Sequence, residues 1–210
     1  MRIARIAGWC LLWGALLPAQ TVNCLVAVVN GHVITLVDVQ VIAEFGLARR
    51  TAESPAKDPR LAALDALIDR KVVLDVTREA RSVDREEATA ALDEVRRRLG
   101  EAEFGARLRK FGLQEKDLRS YVEEALLFEK ALALRFSRSL PVSRTDVERH
   151  YREIYVPERV RRGLEPEPLD RVTGPLEAQV RDRDLKKQME TWIRDLRSRA
   201  DIRIMRDCLE

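Results

Sequence analysis

Short apolar runs rich in β-branched residues lie near the two ends of this chain, and a longer helical pattern separates them. The runs Leu25–Val29 and His32–Leu36 flank the dipeptide Asn30-Gly31. Both residues of Asn-Gly tolerate the positive φ that a type I′ turn requires, so the pattern predicts a β-hairpin. Another strand-like run, Ile202–Met205, lies near the C-terminus. Because an isolated hairpin is only marginally stable, we expect a small sheet in which the two ends of the chain meet.

Between these ends, apolar residues recur with the helical period of 3.6, which predicts a mainly α-helical body. We expect helices over about residues 37–47, 58–81, 84–99, 101–111, 114–137, 143–155 and 176–199. Their boundaries carry residues that favour helix starts or ends: Asp58-Pro59, Asp84 with Glu87, and Ser143 with Asp146 at starts, and Gly100 and Gly112 at ends.

The helical period lapses over residues 156–175, where four prolines and two glycines predict a connecting segment. At the N-terminus, Arg2 and Arg5 precede the uncharged apolar run Ile6–Leu17, and Pro18 ends that run. This order is typical of a secretory signal peptide, and an uncleaved membrane anchor is the alternative. We therefore divide the chain into a signal peptide (1–20), a hairpin with helices (21–155), a linker (156–175) and a closing helix and strand (176–210).

Charge and motifs exclude several classes of function. The 38 basic residues against 35 acidic ones become 36 against 35 once Arg2 and Arg5 are removed, and the two signs are interleaved. Such a pattern is typical of solvated helix faces and not of a nucleic-acid-binding surface. No glycine-rich phosphate loop or nucleophile elbow occurs, so we expect no nucleotide, no other cofactor and no enzyme activity.

Histidine and cysteine usage gives no metal pattern. His32 and His150 are the only histidines, and we expect both to be ordinary surface residues. Cys24 immediately precedes the first predicted strand, and Cys208 follows the last one. If those strands are antiparallel neighbours, the two thiols approach bonding distance and would form a disulfide in an oxidising compartment. Two free thiols near the chain ends are the alternative.

The order of these motifs resembles the N-terminal chaperone module of SurA-type periplasmic proteins. The resemblance is carried by VAVVNGHVIT (residues 26–35), LDALIDRKVVLDVTREAR (residues 64–81), PVSRTDVE (residues 141–148) and the tail from residue 192 to residue 204. It implies a mainly helical module with a small sheet made by the N-terminal hairpin and the C-terminal strand. It also implies a periplasmic location and ATP-independent binding of unfolded exported proteins, including outer-membrane proteins.

This chain departs from that family at two places. Val37 stands where relatives often have a Ser or Thr that caps the first helix, which predicts a looser helix start. Relatives also commonly carry parvulin-type prolyl isomerase domains where this chain has only residues 156–175. So short a segment cannot form such a domain, so we expect no isomerase activity.

A chaperone of this kind requires an accessible apolar groove with a charged rim. The aromatic side chains of Phe104, Phe111, Tyr121 and Phe128 are candidate peptide-binding residues, and the alternative is that they form core between helices. Two other functions stay open: a helical adaptor that docks one folded envelope partner, and a foldase that borrows an isomerase domain from a partner. Contact with a membrane is expected only if the signal segment stays uncleaved.

Overall fold

A computed structural model describes residues 24–48, 58–77, 82–137, 141–205 and 208–209. The expected fold class is confirmed, because the described residues are mainly helical and carry a three-stranded antiparallel sheet. The predicted signal peptide lies outside the described residues. The elements, in chain order, are β1 (Leu25–Val29), β2 (His32–Thr35), α1 (Leu36–Glu44), α2 (Pro59–Val76), α3 (Arg85–Leu99), α4 (Glu101–Phe111), α5 (Glu115–Arg135), α6 (Arg144–His150), a π-helical turn (Tyr151–Tyr155), α7 (Val156–Arg161), α8 (Leu169–Arg199) and β3 (Ile202–Ile204).

The sheet joins the two ends of the chain, as the sequence predicted. Its strand order is β2-β1-β3, and β1 pairs antiparallel with both neighbours. Asn30 and Gly31 have φ values of 49° and 84°, which match the positive φ of the predicted hairpin turn. Asn30 also forms two hydrogen bonds with Asp201, the residue before β3. Its backbone N–H donates to the Asp201 carbonyl and its side-chain oxygen accepts from the Asp201 N–H, both at 2.9 Å.

The start of α1 differs from the expectation based on Val37. Thr35 caps this helix: its hydroxyl accepts from the Asp38 N–H at 3.3 Å, and the Asp38 carboxylate accepts from the Thr35 N–H at 2.8 Å. The helix start is therefore held by a complete capping box. Asp84 with Glu87 also predicted a capping box at the start of α3, and this prediction is wrong, because Asp84 occupies the N-cap position without a side-chain hydrogen bond.

The buried apolar residues of the described segments form three clusters, which divide these segments into a body and an arm. The first cluster lies under the sheet, between α2, the second half of α5 and the second half of α8. The second cluster lies between α1, α3, α4 and the first half of α5. These two make the body. The third and smallest cluster joins α6 to the first half of α8, and these elements with the π-helical turn and α7 make the arm.

The arm corrects the expected connection over residues 156–175 and the expected start of the last helix at residue 176. Residues 156–161 form α7, and α8 begins at Leu169 and continues through Pro175. A proline within a helix removes one backbone hydrogen bond, but Val172 and Leu176 pack against Val147 of α6. This burial favours a continuous helix, because tertiary packing supplies most of a helix's stability.

Besides the sheet, two side-chain links hold the last described residues on the body. Arg197 of α8 donates to Asp69 at 2.9 Å and to Asp65 at 3.0 Å, and both carboxylates belong to α2. Burial alone would lower the pKa of Arg197, but the two carboxylates outweigh it and raise that pKa. Cys24 and Cys208 form a disulfide with Cα atoms 6.1 Å apart, which is the first of the two alternatives given above. The link closes a loop of nearly the whole described chain.

Candidate binding groove

Helix α8 forms the floor of two neighbouring cavities. The body cavity has a volume of about 560 Å³ and lies between the end of α5 and the second half of α8. The arm cavity has a volume of about 780 Å³ and lies between α6 and the first half of α8. Their walls meet at consecutive residues, because Pro141 lines the body cavity and Val142 lines the arm cavity. We call the two cavities together the α8 groove.

The α8 residues of this groove lie on one side of the helix. At 100° per residue they fall within about 140° of the helix circumference, which places them on a single stripe: Leu169, Asp170, Thr173, Glu177, Asp184, Lys187, Gln188, Thr191, Trp192 and Asp195. At a rise of 1.5 Å per residue, this stripe is about 39 Å long. An extended peptide of about 12 residues has the same length.

The groove exists because α8 changes its buried face between arm and body. Its first half buries Val172, Leu176 and Val180, whereas its second half buries Ile193 and packs Met189 on the body. At about 100° per residue, the mean directions of these two faces differ by roughly a third of a turn. The arm and the body therefore cover different sides of α8. Neither of them covers the stripe of groove residues on this helix.

An aromatic pair forms the floor of the body cavity. The rings of Phe136 and Trp192 pack edge to face with centroids 5.6 Å apart. The Arg135 guanidinium lies 5.6 Å from the centre of the Phe136 ring and 5.7 Å from that of Trp192. Such a surface is apolar and carries a positive charge over its rings. Sequence reasoning missed this pair, because its residues lie on different helices, far apart in the chain.

Charge is distributed unevenly along the groove. In the arm cavity, Arg144 pairs with Glu148 at 3.0 Å. Asp170 and Glu177 line the same cavity and form no ion pair with any other residue that the structure describes. The arm end is therefore net acidic. The body end is balanced, with two basic and two acidic residues: Arg135, Lys187, Asp184 and Asp195.

The four aromatic residues singled out by the sequence lie in or against the core. Phe104 is 2% exposed and Phe128 is 3% exposed, so neither is accessible to a peptide. Phe111 packs against the second cluster beneath the Lys110 ammonium, which is 5.3 Å from its ring centre. The Tyr121 hydroxyl donates to Asp38 at 2.6 Å, and burial together with this bond raises its pKa. The structure thus favours the core alternative, and none of these four lines the α8 groove.

One of the two histidine expectations is wrong. His32 is exposed and lies 2.9 Å from the Asp75 carboxylate, as expected of a surface residue. His150 is only 7% exposed, because α6 packs against α8, and its Nε2 lies 3.0 Å from the Gln179 side-chain oxygen. In the described part of the chain, no three His, Cys, Asp or Glu residues are grouped so as to hold a metal ion. None of the helices described there is both long and apolar enough to cross a membrane.

The fold and the groove define a helical protein with a disulfide across its small sheet and two neighbouring open cavities along its last helix. The chain matches no protein-family model and no curated protein. A functional proposal therefore depends on the groove and on the motifs of this sequence.

Proposed function

We propose that this protein is an ATP-independent periplasmic chaperone of SurA type without prolyl isomerase activity. It would hold unfolded exported chains, outer-membrane proteins among them, in the α8 groove. The observation that carries this proposal is the groove itself, which is long enough for about 12 extended residues. The resemblance of the sequence motifs supports the same function. The bond between Cys24 and Cys208 suits the oxidising compartment that the proposal requires.

The walls of the groove suit weak binding with little sequence preference. Its floor offers the rings of Phe136 and Trp192 to apolar side chains, and its rim carries both signs of charge. Burying one large apolar side chain is worth about 1.5–3 kcal/mol, most of which offsets the cost of ordering an extended chain. A few such contacts give a Kd on the order of micromolar, which allows release without nucleotide hydrolysis.

The proposal is tested by blocking the groove from within. Gln188 lies on the groove stripe and is exposed, so Gln188→Trp fills the body cavity without disturbing the core. Lys186 is exposed on roughly the opposite side of α8, and Lys186→Trp adds the same side chain outside the groove. Light scattering then follows the aggregation of a denatured outer-membrane β-barrel and of a denatured soluble protein.

We expect the wild-type protein and Lys186→Trp to suppress aggregation at near-stoichiometric ratios without nucleotide. Gln188→Trp should suppress it several-fold less, because its indole occupies the space that a client side chain needs. A folded wild-type protein that protects neither client would contradict the chaperone proposal. Capture of one folded envelope protein in that case would favour the adaptor alternative.

A further inference from the structure

The uneven charge of the α8 groove gives it two chemically different ends. At the arm end, Asp170 and Glu177 are acidic groups without an ion-pair partner among the described residues, since Arg144 is already paired with Glu148. At the body end, the Arg135 guanidinium lies over the aromatic floor. A basic side chain is therefore favoured at the first end, whereas the second end, where Arg135 and Lys187 balance Asp184 and Asp195, gives it no net attraction.

We propose that the groove binds client segments in one orientation, with their apolar residues at the body end and their basic residues at the arm end. We call this orientation the polarity of binding. Apolar side chains occupy the floor made by Phe136 and Trp192, and Lys or Arg side chains of the same segment lie beside Asp170 and Glu177. This inference rests on the proposed chaperone function and names the class of segment that the groove selects: an apolar stretch followed or preceded, at a set distance, by basic residues.

The length of α8 sets that distance. Trp192 and Glu177 are about 22 Å apart along the helix axis, and Trp192 and Asp170 are about 33 Å apart. An extended chain covers these lengths in about 7 and about 10 residues. Basic residues should thus strengthen binding when they lie 7–10 positions from the apolar anchor. The same residues next to the anchor meet the body end, where two basic and two acidic side chains balance, and they bring no gain.

Fluorescence anisotropy with labelled peptides tests both the charge and the spacing. Each peptide has the same apolar anchor and carries two Lys, two Ser or two Asp eight positions away, and a fourth peptide carries two Lys adjacent to the anchor. An exposed ion pair contributes modestly, so we expect the distant Lys peptide to bind about fivefold more tightly than the Ser peptide. The Asp peptide should bind more weakly than the Ser peptide, and 0.5 M salt should reduce all these differences.

Two matched variants identify the groups responsible. Asp170→Asn with Glu177→Gln removes the two groove carboxylates and should bring the Lys and Asp peptides to equal affinity. Asp182→Asn with Glu165→Gln removes the same charge at exposed positions outside the groove and should keep the difference. Equal affinities for wild-type protein, or a difference that survives loss of the groove carboxylates, would overturn the polarity.

The Ser peptide separates this inference from the function on which it rests. If it binds the wild-type protein and Gln188→Trp weakens its binding, the groove is a peptide site whatever the charged peptides do. If no peptide binds a folded protein, the groove and its polarity are both rejected.

Discussion

At the scale of single residues, Asp38 connects three parts of the body through one carboxylate. It accepts the Thr35 N–H at 2.8 Å, the Thr35 hydroxyl at 2.7 Å and the Tyr121 hydroxyl at 2.6 Å. The end of β2, the start of α1 and the middle of α5 are thus joined at one point. A tyrosine at a helical apolar position predicts burial of the ring, but sequence alone cannot show which acceptor its hydroxyl reaches.

Removing the Tyr121 hydroxyl tests whether this residue is structural. Tyr121→Phe deletes one hydrogen bond to a charged, partly buried group, and Asp38 keeps its two bonds from Thr35. We expect the free energy of unfolding in urea to fall by about 1–2 kcal/mol. Tyr155→Phe is the control, because the Tyr155 hydroxyl bonds to no other described residue, and its effect should stay within about 0.5 kcal/mol.

Peptide binding by folded Tyr121→Phe should equal that of the wild-type protein, because Tyr121 does not line the α8 groove. A variant of unchanged stability that binds peptides more weakly would instead place Tyr121 at the binding surface.

At the scale of elements, local signals predicted the hairpin and most helices but not the beginning of α8. Asn30 and Gly31 form the predicted turn with positive φ. Asp58 caps α2 as predicted, since its side chain accepts the Arg60 N–H at 2.8 Å, and α4 has the expected bounds. The dipeptide Gly174-Pro175 is an equally strong local signal against helix, and yet α8 passes through it. The packing of α8 on α6 outweighs this local preference. It depends on residues that are distant in the chain, so the sequence around Gly174 and Pro175 does not indicate it.

Two glycines with different backbone conformations test this interpretation of α8. Gly174 lies inside the helix and Gly112 ends α4 with φ of 64°, and an added Cβ meets no atom within 4 Å at either position. Only the backbone then distinguishes them. Gly174→Ala should raise the free energy of unfolding by about 0.5–1 kcal/mol, because alanine favours helix. Gly112→Ala should lower it by about 1–2 kcal/mol, because the left-handed conformation strains any residue with a Cβ.

Urea unfolding of both variants gives the comparison directly. Destabilisation by Gly174→Ala would mean that the backbone at this position is not helical in solution. The first half of α8 could then not form the arm side of the groove.

At the scale of the whole molecule, the ends of the chain were predictable and the groove was not. The strands near both ends are short, strand-like apolar runs, and Cys24 and Cys208 flank them, so the sequence predicted that they meet. The groove requires Phe136 and Trp192 to meet and α8 to change its buried face between arm and body. That change arises from the positions of two packing partners, and periodicity along one helix reveals only that some face is buried.

The disulfide between Cys24 and Cys208 closes a loop over a sequence separation of 184 residues. A link across so long a loop restricts the unfolded chain strongly, so reduction should lower the free energy of unfolding by about 2–5 kcal/mol. Urea unfolding with and without dithiothreitol measures the shift, and the double variant Cys24→Ser with Cys208→Ser should match the reduced wild-type protein and ignore the reductant. Because Cys24 and Cys208 lie at the sheet and not at the groove, reduced protein that stays folded should still bind the Ser peptide. An oxidised protein, verified by mass, that gains no stability over its reduced form would show that Arg197 and the sheet hydrogen bonds already hold the chain ends without the covalent link.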